Sequence, residues 1–250
     1  MRRRASWLAF AVAVLVYLGL AGCDSLPGRP NSANREVVAA QVMAFDVLYS
    51  RNCAGCHGAA GRLGAARPLN DPVYLALVPH ERLRKVLAEG VPGTSMPAFG
   101  ASAGGDLTDA QIDALVKGML ARWAQPDAVK GLTLPAYEAP ARSSSPAARE
   151  QGAAVYATAC ARCHGPGGQG GPKAGSIVDP SFLALVSDQS LRTTVIAGRP
   201  DLGKPDWRED TPGQPLTPEQ ISDLVSWLVG HRQAVPGRPG SSSDLSGSRR

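Results

Sequence analysis

Residues 53–57 read Cys53-Ala54-Gly55-Cys56-His57, and residues 160–164 read Cys160-Ala161-Arg162-Cys163-His164. Each is a C-x-x-C-H, the pattern through which a c-type haem is attached to a chain. With 5 Cys and 4 His in 250 residues, one chance match is expected in roughly one or two per thousand such chains. Two matches dismiss coincidence. An exported protein could spend four cysteines on disulfides, and a C-x-x-C could be a redox dithiol or half a zinc site. Neither alternative requires a histidine directly after both pairs.

The similarity between the two stretches runs far beyond the cysteines. At an offset of 108, Asp71-Pro72 matches Asp179-Pro180, Leu75-Ala76-Leu77-Val78 matches Leu183-Ala184-Leu185-Val186, and Leu83-Arg84 matches Leu191-Arg192. Gly90, Pro92 and Pro97 match Gly198, Pro200 and Pro205, and after one insertion Leu107-Thr108 matches Leu216-Thr217. The chain is a tandem duplication, which its length permits as two domains of about 100 residues. Helical spacing runs into each cysteine pair through Val38, Val42, Phe45 and Tyr49, and through Gly152, Val155, Tyr156 and Ala159. Each copy closes on a helix that opens with a capping box, Thr108 to Gln111 and Thr217 to Gln220, with Pro218 at the first helical position. Ile112, Leu115, Met119 and Trp123, then Ile221, Leu224, Val225 and Leu228, mark its buried face. Glycine (28) and proline (21) fill the stretches between, which read as loops.

The expected organisation is all-α: two tandem domains at 36–125 and 147–231, joined by a Pro- and Ser-rich linker at 126–146 that would let them hinge. Residues 232–250 read as a disordered tail. Aromatics are only 5% of the chain, thin for filling two small cores. A haem in each domain would supply the missing apolar surface.

Arg2, Arg3 and Arg4 precede an apolar run from Trp7 to Leu18 that continues to Cys23. A charged start before an apolar stretch reads as a signal peptide, 1–22, and its 16 apolar-rich residues fall short of the ~20 that span a bilayer, which favours cleavage over the alternative, an uncleaved anchor helix with a stray cysteine at its end. Leu20-Ala21-Gly22-Cys23 resembles the lipobox of bacterial lipoproteins, which implies a lipidated Cys23 with 23–35 as tether. That places the mature chain on the periplasmic side of the inner membrane, and Asp24 resembles a signal for staying there. Removing the three leader arginines reduces the formal charge from +5 to +2. No basic footprint for nucleic acid remains.

Two thiols three residues apart on one helical turn can each bond a haem vinyl group, and the adjacent histidine then lies under the iron. The expected attachment residues are Cys53, Cys56, Cys160 and Cys163, with His57 and His164 as proximal ligands. For the opposite face of the first iron the candidate is Met96, in Gly93-Thr94-Ser95-Met96-Pro97. Met43 and Met119 fall on helical faces and read as core. Both copies resemble the class I cytochrome c family, in which a C-x-x-C-H near the start is followed about 40 residues later by an axial methionine. Met96 lies 39 residues beyond His57 and precedes Pro97. In the second copy that position holds Lys204.

A lysine amine ligates only when deprotonated. Three readings follow: Lys204 ligates, the iron is five-coordinate, or a side chain such as His231 replaces it. His80 has no counterpart in the second copy and reads as a surface residue, and Trp207, in the place of Phe99, reads as packing.

The expected function is electron transfer by a membrane-tethered protein with two covalent haems, either a carrier or a cytochrome subunit of a larger complex, in a respiratory or photosynthetic chain. Its partners would be redox proteins, such as a quinol-oxidising complex or a terminal oxidase. The competing class is a dihaem enzyme, peroxidase-like or thiosulfate-oxidising, with chemistry at the second haem and Asp201, Asp206, Arg199 and Arg208 as nearby polar candidates. No residue is expected to be catalytic in the electron-transfer reading, because outer-sphere transfer needs no acid or base.

Overall fold

The computed structural model describes residues 37–138, 145–209 and 214–233. It holds two compact units, Met1–Gln41 and Val42–Arg250, and both C-x-x-C-H repeats lie in the second. Within the first unit the described residues contain one 3-10 turn, Ala39–Gln41. The 1–22 leader, Cys23, most of the tether and residues 234–250 lie outside the described residues.

The described residues are helical, with no strand beyond two isolated bridges, Gly100 to Leu107 and Arg199 to Lys204. The first repeat runs α1 (Phe45–Asn52), α2 (Ala54–His57), α3 (Pro72–Leu77), α4 (His80–Glu89) and α5 (Asp109–Trp123). The second repeats that order as α6 (Pro146–Ala159), α7 (Ala161–His164), α8 (Pro180–Leu185), α9 (Asp188–Ala197) and α10 (Pro218–Gly230).

The expected capping boxes form. Gln111 N–H donates to Thr108 Oγ1 at 3.3 Å while Thr108 N–H donates to Gln111 Oε1 at 3.0 Å, and Thr217 and Gln220 do the same at 3.2 and 2.9 Å. Stretches read as loops hold further helices at equivalent places. The repeated Asp-Pro dipeptides start two of them: the Asp71 carboxylate accepts the Tyr74 N–H at 2.6 Å, and Asp179 accepts those of Ser181 and Phe182.

The first helix is shorter than its sequence pattern suggests. It begins at Phe45, because the Val42 carbonyl accepts a hydrogen bond from Gln111 Nε2 at 3.0 Å and leaves the helical ladder. Met43 is therefore 45% exposed, against the core position expected of it, whereas Met119 is buried as expected.

The repeats are not hinged about a free linker. Val73 and Leu77 of α3 belong to the same buried cluster as Tyr156, Val195, Ile196 and Leu224 of the second repeat. Val129, Leu132, Leu134 and Tyr137 of the intended linker pack against that cluster too. Arg192, itself buried, fixes the segment by donating to the carbonyls of Ala136 and Tyr137. Apolar residues in the linker win over its prolines.

Candidate haem centres

Each C-x-x-C-H forms one turn of helix hung on its first cysteine. The Cys53 carbonyl accepts the N–H groups of Cys56 (3.2 Å) and His57 (2.9 Å), and the Cys160 carbonyl accepts those of Cys163 (3.1 Å) and His164 (3.0 Å). None of the four cysteines is in a disulfide, so the disulfide reading fails. Among the described residues there is also no cluster of three or more His, Cys, Asp or Glu able to hold a metal ion. The zinc reading fails with it. Cys53 is buried and Cys56 exposed, and burial, then the neighbouring Cys56, push the Cys53 thiol up to about 11.

The chain must reverse directly after each histidine, and a glycine does so in both copies. Gly58 and Gly165 have φ of 81° and 78°, and a Cβ there would lie 1.9 Å from the Arg62 carbonyl oxygen and 2.3 Å from that of Gly170. Tyr49 Oη donates to the Gly58 carbonyl at 2.8 Å, and Tyr156 Oη donates to that of Gly165. These glycines were missed as site residues, although Cys-His-Gly occurs in both copies.

The returning loop brings a carbonyl to each imidazole: Arg67 O at 2.7 Å from His57 Nδ1, and Gly175 O at 2.8 Å from His164 Nδ1. A carbonyl only accepts, so Nδ1 carries the proton and the Nε2 lone pair is left for a metal. Burial holds His57 below the ordinary imidazole range, opposed by the Arg67 carbonyl and assisted by the Arg67 and Arg199 cations. The neutral, ligating form is thereby favoured.

The loops expected to supply the opposite ligands are also equivalent. Val91 N–H donates to the Met96 carbonyl at 3.0 Å, and Arg199 and Lys204 exchange two backbone bonds of 3.0 Å at the matching positions. Met96 is half-buried and packs on the core of the first repeat. Lys204 Nζ donates to the Pro205 carbonyl at 2.8 Å, a bond that ligation would have to break. His231 is engaged at the end of α10, with Nδ1 2.9 Å from the Trp227 carbonyl and its ring edge-on to Trp227. His80 is exposed at the start of α4, and Trp207 is buried in the second core. Arg199 pairs with Asp201, and Arg208 with Asp206.

The donor sets fit c-type haem in both repeats: two thiols and an imidazole with Nε2 directed away from its carbonyl partner. Arg67 Nη1 is moreover buried without an acceptor, and haem carries carboxylates. When bound, the group supplies one-electron redox chemistry. Such a chain, whose described residues form helices and no named strand and whose two sites fit covalent haem, is a dihaem c-type cytochrome.

It belongs to the family described as cytochrome c oxidase, cbb3-type, subunit III, matched at residues 40–117 and 147–228. It is 27% identical over 214 residues to the cbb3-type cytochrome c oxidase subunit FixP of Azorhizobium caulinodans, across 82% of this chain. It is 29% identical over 206 residues to subunit CcoP of Rubrivivax gelatinosus, across 79% of this chain. The chain spans 64% and 58% of the lengths of these relatives. Among solved structures, a chain of the reducing HAO-like protein complex of Kuenenia stuttgartiensis is 18% identical with a TM-score of 0.47, covering 79% of this chain and 98% of that one.

Proposed function

We propose that this protein is a membrane-tethered dihaem cytochrome that passes electrons to a terminal oxidase, as a cytochrome subunit or a bound carrier. The observation that carries the proposal is the duplicated proximal turn, in which a carbonyl takes the Nδ1 proton of both His57 and His164. Two ligand sites of one design on one chain suit outer-sphere transfer, and the carboxylates of Asp201 and Asp206 are both paired with arginines. The relatives named as cbb3-type oxidase subunits support the choice of partner.

In this reading Cys53 and Cys56 attach the first haem and His57 and Met96 ligate it, while Cys160 and Cys163 attach the second, ligated by His164 and Lys204. The haem domains are 36–125 and 147–231. Residues 1–22 are removed and Cys23 carries the lipid, which holds the protein at the periplasmic face of the inner membrane. No helix among the described residues is long and apolar enough to cross a membrane. Mass spectrometry of the mature amino terminus is expected to find a diacylglyceryl Cys23; a terminus at Met1 would replace the lipid with an uncleaved anchor.

The functional test mixes reduced holoprotein with oxygen and membranes containing a cbb3-type oxidase. Catalytic reoxidation of both haems is expected there, and no turnover with hydrogen peroxide alone. Sustained peroxide reduction would overturn the proposal in favour of an enzyme working at the second haem.

A further inference from the structure

The loop that follows the first C-x-x-C-H is held from the other repeat. Leu63 N–H donates to Asp201 Oδ2 at 3.1 Å, and Arg199 Nη2 donates to the Gly64 carbonyl at 3.1 Å. Arg67 Nη2 reaches α9, donating to the Ser190 carbonyl (3.1 Å) and Thr194 Oγ1 (2.5 Å). Arg199 and Asp201 join each other through two bonds of 2.9 Å, and their side chains are only 15% and 3% exposed. This is a pair sheltered from water, where charge acts at longer reach than at a surface.

The held loop also departs from its duplicate. Leu63 has φ of 62°, the one positive value for a non-glycine among the described residues. At the matching place the second repeat has Gly170, with φ of 103°. A branched side chain in that region is strained and persists only where its surroundings fix it. Here the Asp201 carboxylate takes the Leu63 amide. Four residues on, the same loop presents the Arg67 carbonyl to His57.

We propose that the Arg199–Asp201 pair of the second repeat is a positioning group for the first haem, holding the Leu63–Arg67 loop on which His57 rests and setting that haem's potential. The proposal rests on His57 being the proximal ligand. The pair's two charges act on the first iron with opposite sign. Removing the carboxylate leaves Arg199 uncompensated and favours Fe(II); removing the guanidinium leaves Asp201 uncompensated and favours Fe(III).

The test is a spectroelectrochemical titration of the full-length holoprotein, with Met96→Ala identifying the first haem's wave by which wave falls. Asp201→Asn is expected to raise that wave by at least threefold in the redox equilibrium constant, about 28 mV for one electron, and Arg199→Gln to lower it by as much. Asp201→Glu, which keeps the charge, leaves it in place. A first-haem wave unmoved in both neutralising variants overturns the proposal, and so does a shift of the same sign in both, which is what simple loosening would produce. If either neutralising variant fails to take up two haems, the other decides by the sign of its shift. Failure of the ligand assignment shows separately, as wild-type waves that are both indifferent to Met96→Ala.

Discussion

Lys204 occupies the place of a methionine and brings the opposite preference. A thioether is neutral and favours Fe(II), raising the potential of a His/Met haem, whereas an amine must first lose a proton from a reference pKa of about 10.4. In the structure that amine also has a carbonyl partner, Pro205. With Lys204 as ligand, the second haem is expected to have the lower potential. Lys204→Met should raise the lower wave toward the upper one. A redox titration checks both; two waves that stay put in the variant exclude ligation by residue 204. Met96→Ala is in turn expected to abolish the weak far-red charge-transfer band that marks a methionine–iron bond. The candidate ligands could be picked out because attachment and proximal ligation would be written in five consecutive letters, and Met96 stands in a glycine- and proline-rich loop. The residues that hold those ligands were not. Asp201 and Leu63 are 138 positions apart, and Arg67 and Thr194 are 127 apart; such contacts leave no periodicity to read.

At the scale of helices, the two repeats solve one packing problem in opposite ways. The first and last helices of each repeat cross closely. In the first, Phe45 of α1 lies over Gly118 of α5, where an added Cβ would fall 2.2 Å from the Phe45 ring. In the second the aromatic and the glycine change sides: Gly152 stands in the place of Phe45, Trp227 in that of Gly118, and a Cβ on Gly152 would lie 2.1 Å from the Asp223 carbonyl oxygen. That obstacle is backbone and cannot rotate away. Gly152→Ala should therefore separate α6 from α10 and cost about 2 kcal/mol, read as a lower denaturation midpoint of the haem-loaded protein. Gly55→Ala, with nothing within 4 Å of the added carbon, is the control and should leave the midpoint unchanged or slightly higher. A midpoint unmoved by Gly152→Ala would mean that the helices part without cost. The helices were legible where caps announced them, but their crossing was not, since a glycine within a helical stripe reads the same whether it faces solvent or another backbone. The aromatic cover moves with the swap: Trp123 meets Tyr49 edge-on at 5.1 Å, while Trp227 stacks on Tyr156 at 4.2 Å.

For the whole molecule, the duplication does not make two independent haem proteins. The second repeat's core includes residues of α3 and of the connecting segment, and the first repeat's proximal loop is held by residues of the second. Composition suggested a loose linker because prolines and a run of serines punctuate it, and prolines do extend a chain. They do not stop leucines from finding a core. Arg192 is the part of this attachment open to direct test. It is buried, and its partners among the described residues are neutral oxygens: Nε and Nη2 go to the Ala136 and Tyr137 carbonyls and Nη1 to Ser222 Oγ. Gln189 Nε2 adds a further bond to the Tyr137 carbonyl at 2.9 Å. Burial lowers the Arg192 pKa, yet the charge is met by oxygen lone pairs, and hydrogen bonds to a charged group are worth about 1.5–3 kcal/mol each. Arg192→Leu keeps apolar bulk on α9 but leaves the Ala136 and Tyr137 carbonyls without that donor. The segment from Pro126 to Glu138 should then open locally without global unfolding. Limited proteolysis of the holoprotein is expected to cut there at least tenfold faster in Arg192→Leu than in the wild type, at unchanged haem content. Equal cleavage rates would show that Leu132, Leu134 and Tyr137 hold the segment by themselves, and that the guanidinium serves only α9.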